Sequence, residues 1–60
     1  MPSYRCYFLD AENHIASRSE IEADALEGAI AQALEILKDH PEHRSFEIWQ
    51  GDQLLYRGHG

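Results

Sequence analysis

Ser45-Phe46-Glu47-Ile48-Trp49-Gln50-Gly51-Asp52-Gln53-Leu54-Leu55-Tyr56-Arg57 is the stretch on which the fold turns. Two runs rich in aromatic and branched side chains flank Gly51-Asp52, and Gly at the first central position favours a two-residue type II′ turn. That turn sets a register with Gln50 opposite Gln53, Trp49 opposite Leu54, Ile48 opposite Leu55 and Glu47 opposite Tyr56. Side chains alternate across a strand. Phe46, Ile48 and Leu55 then share one face, and Trp49, Leu54 and Tyr56 share the other. A three-residue turn would regroup them. In the two-residue register the hairpin is apolar on both faces.

Upstream, Asp24 to about Lys38 has helical periodicity. Leu26, Ala29, Ile30, Ala33, Leu34 and Leu37 fall on one stripe, with Glu27, Gln32, Glu35 and Lys38 largely off it. Ile36 sits off the stripe, partly exposed or against a sheet edge. Asp24 is a suitable N-cap, and Glu27 three residues later completes an Asp-x-x-Glu pattern like a capping box. Gly28 in the first turn costs up to ~1 kcal/mol relative to Ala, which a close approach to the sheet would explain. Pro41 ends the helix by forcing the residue before it out of helical geometry.

Two further strands precede the helix. Tyr4, Cys6 and Phe8 alternate with Arg5, Tyr7 and Leu9. Asp10 to Asn13 is turn-like, since Asp and Asn bond their own backbone. His14 to about Glu22 forms a second strand with Ile15 and Ile21 on one face, and its polar middle, Ser17-Arg18-Ser19, suits a sheet edge. Residues 1–60 therefore form one α+β domain. It is a four-stranded antiparallel sheet of order 2-1-3-4 with a ββαββ pattern and one amphipathic helix on one face. A right-handed crossover carries the chain from strand 2 over strand 1 to strand 3.

One helix covers one face, so the other face needs a partner. If Phe8 points to the helix, Tyr7 and Leu9 join Trp49, Leu54 and Tyr56 on the uncovered side. Aromatics with polar tips favour interfaces, and these five residues are the expected interface, with a homodimer as the expected assembly. Sixty residues with a single cysteine allow no internal disulfide. Chains of this size draw stability from a tight core, a metal or a partner.

Net charge is −6, from eleven acids against five scattered bases. This argues against nucleic-acid binding, which needs clustered Lys and Arg. An acidic surface also suits a basic protein partner, the alternative to self-association. No apolar run approaches the ~20 residues that span a membrane. Met1 to Cys6 lacks a basic segment followed by an apolar run, so no secretory signal is expected, and a free cysteine suits the cytoplasm.

No residue is assigned a catalytic, cofactor-binding or metal role, so no enzyme activity and no cofactor are expected. Cys6 lies mid-strand in an apolar run, where a buried, inert thiol is the ordinary case. Asp10 and Glu12 are surface-turn carboxylates. His40 and His43 have a ligand-like spacing, but Pro41 breaks the helical register that would aim both rings at one point. A solvated helix exit is therefore expected there, with a small metal-binding protein as the third alternative.

The aromatic opening Met1-Pro2-Ser3-Tyr4-Arg5-Cys6-Tyr7-Phe8, the turn at Asp10 to Asn13, the Ala-Leu-rich helix and the hairpin from Phe46-Glu47-Ile48-Trp49 onward resemble a group of short uncharacterised alphaproteobacterial proteins, chiefly from rhizobia. The resemblance spans nearly the whole chain and implies the same strand-strand-helix-strand-strand order, with no activity and no site residues. The helix start Asp24-Ala25-Leu26-Glu27-Gly28-Ala29 also resembles the acidic helix of small antitoxins. Those have three strands and a Pro/Gly-rich segment before the helix, whereas this chain has two strands and no such segment.

Overall fold

Alternation in the first strand sets the core. In β1 (Ser3–Leu9), Tyr4, Cys6 and Phe8 are buried, while Arg5, Tyr7 and Leu9 point the other way. The computed structural model describes residues 3–59 and continues with β2 (Ile15–Glu22), α1 (Leu26–Asp39), β3 (Ser45–Gln50) and β4 (Gln53–His59). Met1 and Pro2, which open the aromatic-strand pattern, and Gly60 lie outside the described residues. The four strands form one antiparallel sheet ordered β2-β1-β3-β4. This is the expected α+β, ββαββ architecture. The Cα extents are 31 × 22 × 14 Å, and the shortest accommodates one sheet and one helix, with no second layer over the far face among the described residues.

The helix lies on Cys6, Phe8, Ile21, Phe46 and Ile48 through Ala29, Ala33 and Leu37. Two alanines on the buried line let its backbone come close to the sheet. Ile36 packs against the core and Leu34 is 39% exposed, which corrects the expected stripe. At 100° per residue, Ile36 lies about as near the Ala29–Ala33–Leu37 line as Ile30 does, and Leu34 falls ~40° farther round. The helix also starts later than expected. Ala25, not Asp24, is the N-cap, in extended geometry and without a side-chain bond, so the Asp24–Glu27 box does not form. Ala23, buried just after β2, anchors this entry, and a Cβ on Gly28 would stand 3.3 Å from the Ala23 Cβ. The close approach at Gly28 is therefore real, but to the connection rather than to a strand. The helix ends at Asp39, before Pro41.

Both hairpins contain a bulge, and the bulges reassign side chains. The Gly51-Asp52 turn forms as expected, with φ +64° at Gly51 and the pairs Gln50–Gln53 and Trp49–Leu54. Beyond them the register shifts. Ile48 pairs with Tyr56, Glu47 with Arg57 and Phe46 with Gly58, leaving Leu55 as the extra residue. The expected pairs Ile48–Leu55 and Glu47–Tyr56 are thus corrected. The cause is visible at Gly58, where a Cβ would lie 2.6 Å from the Phe46 ring. Only glycine fits opposite Phe46, and the extra residue brings it there.

In the first hairpin, Phe8 pairs with Ser17 but Leu9 with Ile15, so Ala16 is the extra residue. The turn itself is clamped by Asp10. Its Oδ1 accepts the N–H groups of Glu12 and His14 at 2.9 and 3.0 Å, and Asn13 takes the left-handed φ of 65°. Ile15 and Ile21 therefore stand on opposite faces, contrary to the expected shared face. Ile21 is 2% exposed and Ile15 61%.

Candidate interaction face

The sheet face away from the helix gathers Tyr7 and Leu9 from β1, Trp49 from β3 and Leu54 from β4, as expected from the sequence. Tyr56 does not belong to it. The Leu55 bulge turns Tyr56 to the helix side, where its ring lies 5.9 Å from that of Phe46. Ile15 takes the vacated apolar role, paired with Leu9 on the open face. Tyr7 and Trp49 meet edge to face, with ring centroids 6.4 Å apart at 85°. A shallow depression over them is lined by Tyr7, Ile15, Glu47, Trp49, Gly51 and Asp52.

At the centre of the face stands a carboxylate that sequence reading passed over. The Glu47 side chain is only 15% exposed. Its Oε1 accepts the Trp49 indole N–H at 3.3 Å, and its Oε2 accepts Arg57 Nε at 3.1 Å, with Arg57 Nη2 at 2.9 Å. Strand pairing places Arg57 directly opposite Glu47, and that pairing exists only because of the bulge. The signal in the sequence was Gly58, since a glycine inside a strand marks a bulge or a close approach.

The strands of this face are balanced in charge. Arg5, Arg18 and Arg57 point outward beside Glu20, Glu22 and Glu47. The rest of the chain holds two bases, Lys38 and Arg44, and the other eight of its eleven acids. The whole net charge of −6 is thus carried by the helix, the connections and the turns.

The remaining candidate groups fall elsewhere. Cys6 is wholly buried beneath the helix, and burial pushes its thiol up to about 12. It stays protonated at neutral pH and is no thiolate nucleophile. The two backbone N–H bonds from His14 and Glu12 hold the Asp10 carboxyl below the usual range. That carboxylate closes a turn. Glu12 is exposed in the same turn.

Pro41 does not separate the two histidines as expected. The His43 N–H bonds the His40 carbonyl at 2.9 Å, closing a tight turn that brings the ring centroids to 5.1 Å, tilted by 32°. The Glu42 carboxyl between them is held below its ordinary range, chiefly by its own backbone N–H and then by His40 and His43.

Among the described residues no helix is long and apolar enough to cross a membrane. No family model matches the chain, and comparisons with curated proteins and with solved structures find no match.

Proposed function

We propose that this chain is a non-catalytic binding module of the cytoplasm that pairs with a second copy of itself through the open sheet face. The observation that carries the reading is the charge balance of that face on an otherwise acidic chain. Burying a charge without a partner is costly. Here the most buried charge, Glu47, already has Arg57 and the Trp49 indole as partners within the same chain. Two such faces can meet about a twofold axis with Glu47 already paired inside each copy. The same patch then serves both partners, as a symmetric dimer requires.

The footprint is small. Four strands of six to eight residues give a planar area of ~400 Å², about half the ~800 Å² per partner of a standard interface. Association of this kind is weak and reversible, and contact along the β4 edge, where Leu54 and Tyr56 are each nearly 40% exposed, would add to it.

Sedimentation over a range of concentrations tests the proposal. The 6.9 kDa chain is expected to rise toward twice its mass, and Trp49→Lys to remain a folded monomer. A monomer at every concentration would overturn the reading.

A second reading is an acidic regulatory subunit for a basic protein. The segregation of negative charge to the helix and turns favours it, because a basic partner would dock there and not on the balanced face. That reading leaves the isolated chain monomeric, so the same experiment separates the two.

A further inference from the structure

The geometry points to a binding site for a borderline divalent transition cation, Zn²⁺ or Ni²⁺, at the turn His40-Pro41-Glu42-His43. One donor atom from each of His40, Glu42 and His43 lies within 4.8 Å of the other two. His40 Nδ1 stands 3.5 Å from Glu42 Oε2. Around a tetrahedral ion with bonds of ~2.0–2.1 Å, ligand atoms sit ~3.4 Å apart, so this pair is already at coordination spacing. The side chains of His40 and Glu42 are 49% and 63% exposed. They can be reached from solvent and can close the remaining gap by rotation.

His43 is the fixed member. Its ring stacks on Phe8 at 5.2 Å and 16°, which anchors it to the core. Nε2 is 3.4 Å from Ser17 Oγ, and Nδ1 is buried with no hydrogen-bond partner among the described residues. With the proton on Nε2, directed at Ser17, Nδ1 keeps a free lone pair. This is the arrangement of a metal-binding imidazole whose second nitrogen is held by a neighbour. A buried polar atom with no partner is costly, and a cation would satisfy it.

Two imidazoles and a carboxylate favour Zn²⁺ or Ni²⁺ over Mg²⁺ or Ca²⁺, which prefer oxygen donors alone. Three protein donors leave a coordination position for water. Nothing in this site overlaps the open sheet face, so it stands or falls independently of self-association.

Calorimetric titration of the full chain with zinc chloride, paired with imidazole NMR signals, tests the site. One ion per chain is expected to bind more tightly than about 100 μM, shifting the ring signals of His40 and His43 more than those of His14 and His59. Magnesium chloride is expected to do neither. His40→Ala should weaken binding about tenfold or more with an unchanged circular-dichroism spectrum. That exposed residue gives the deciding variant, because His43→Ala also removes packing on Phe8. No binding up to about 1 mM zinc, an affinity unchanged in His40→Ala, or a loss that follows His14→Ala or His59→Ala while His40→Ala still binds would each overturn the assignment.

Discussion

The two faces of this one sheet solve different problems. The helix side is sealed by shape: Phe8, Phe46, Ile48 and Cys6 are fully buried, and Gly58 leaves room for the Phe46 ring. The open side is held by pairing, with Glu47 bonded to Arg57 and Trp49, Arg5 standing opposite Glu20, and the arginines of its strands equal in number to their glutamates. A packed face resists substitution, whereas a paired face tolerates it in the monomer and reports it in assembly. That difference explains how one short chain can carry two apolar faces and only one helix.

The comparison breaks first if the helix side is loosened. Phe8→Ala removes a fully buried ring and is expected to cost about 3–5 kcal/mol. A 60-residue domain holds only about 3–9 kcal/mol in total, so denaturant titration should find the variant largely unfolded or close to it. Gly58→Ala comes next. Its Cβ would sit 2.6 Å from the Phe46 ring, an overpacking of about 1–3 kcal/mol, read as a lower denaturation midpoint with an unchanged slope.

Smaller effects belong to the open face. Glu47→Gln keeps the shape and removes the ion pair with Arg57, whose side chain is 62% exposed. Solvent screening limits the loss to about 0.5–1 kcal/mol, and a double-mutant cycle with Arg57→Ala should recover the same coupling, reduced at high salt. Ile15→Lys is smallest of all for the monomer. Ile15 is 61% exposed, so its stability should change by less than about 0.5 kcal/mol, while dimerisation weakens measurably. Equal losses from Ile15→Lys and Phe8→Ala would erase the distinction between the faces.

Much of this was legible from the chain. The strand order, the helix, the Gly51-Asp52 turn and the open positions of Tyr7, Leu9, Trp49 and Leu54 follow from alternation, periodicity and turn chemistry. What alternation cannot supply is a change of phase. Each bulge inserts one residue, Ala16 in β2 and Leu55 in β4, and every side chain beyond it changes face. That is why Ile15 was expected beside Ile21, and why Tyr56 was expected outside and Arg57 was missed. The helix start was misread for a related reason. Asp24 has the right chemistry for a cap, but burial of Ala23 and the close approach of Gly28 set where the first turn begins. At His40 and His43 the expectation assumed helical spacing, whereas a tight turn through Pro41 brings the rings together.

The central claim is that the open face meets a copy of itself. Isotope-filtered NOE spectroscopy on a mixture of labelled and unlabelled chains tests it most directly, since it detects only contacts between copies. The account predicts intermolecular contacts at the Trp49 indole, the Tyr7 ring and the Ile15 methyl groups, all of them weakened in Ile15→Lys. Intermolecular contacts confined to α1 or the turns, or none at concentrations where the mass has doubled, would contradict it.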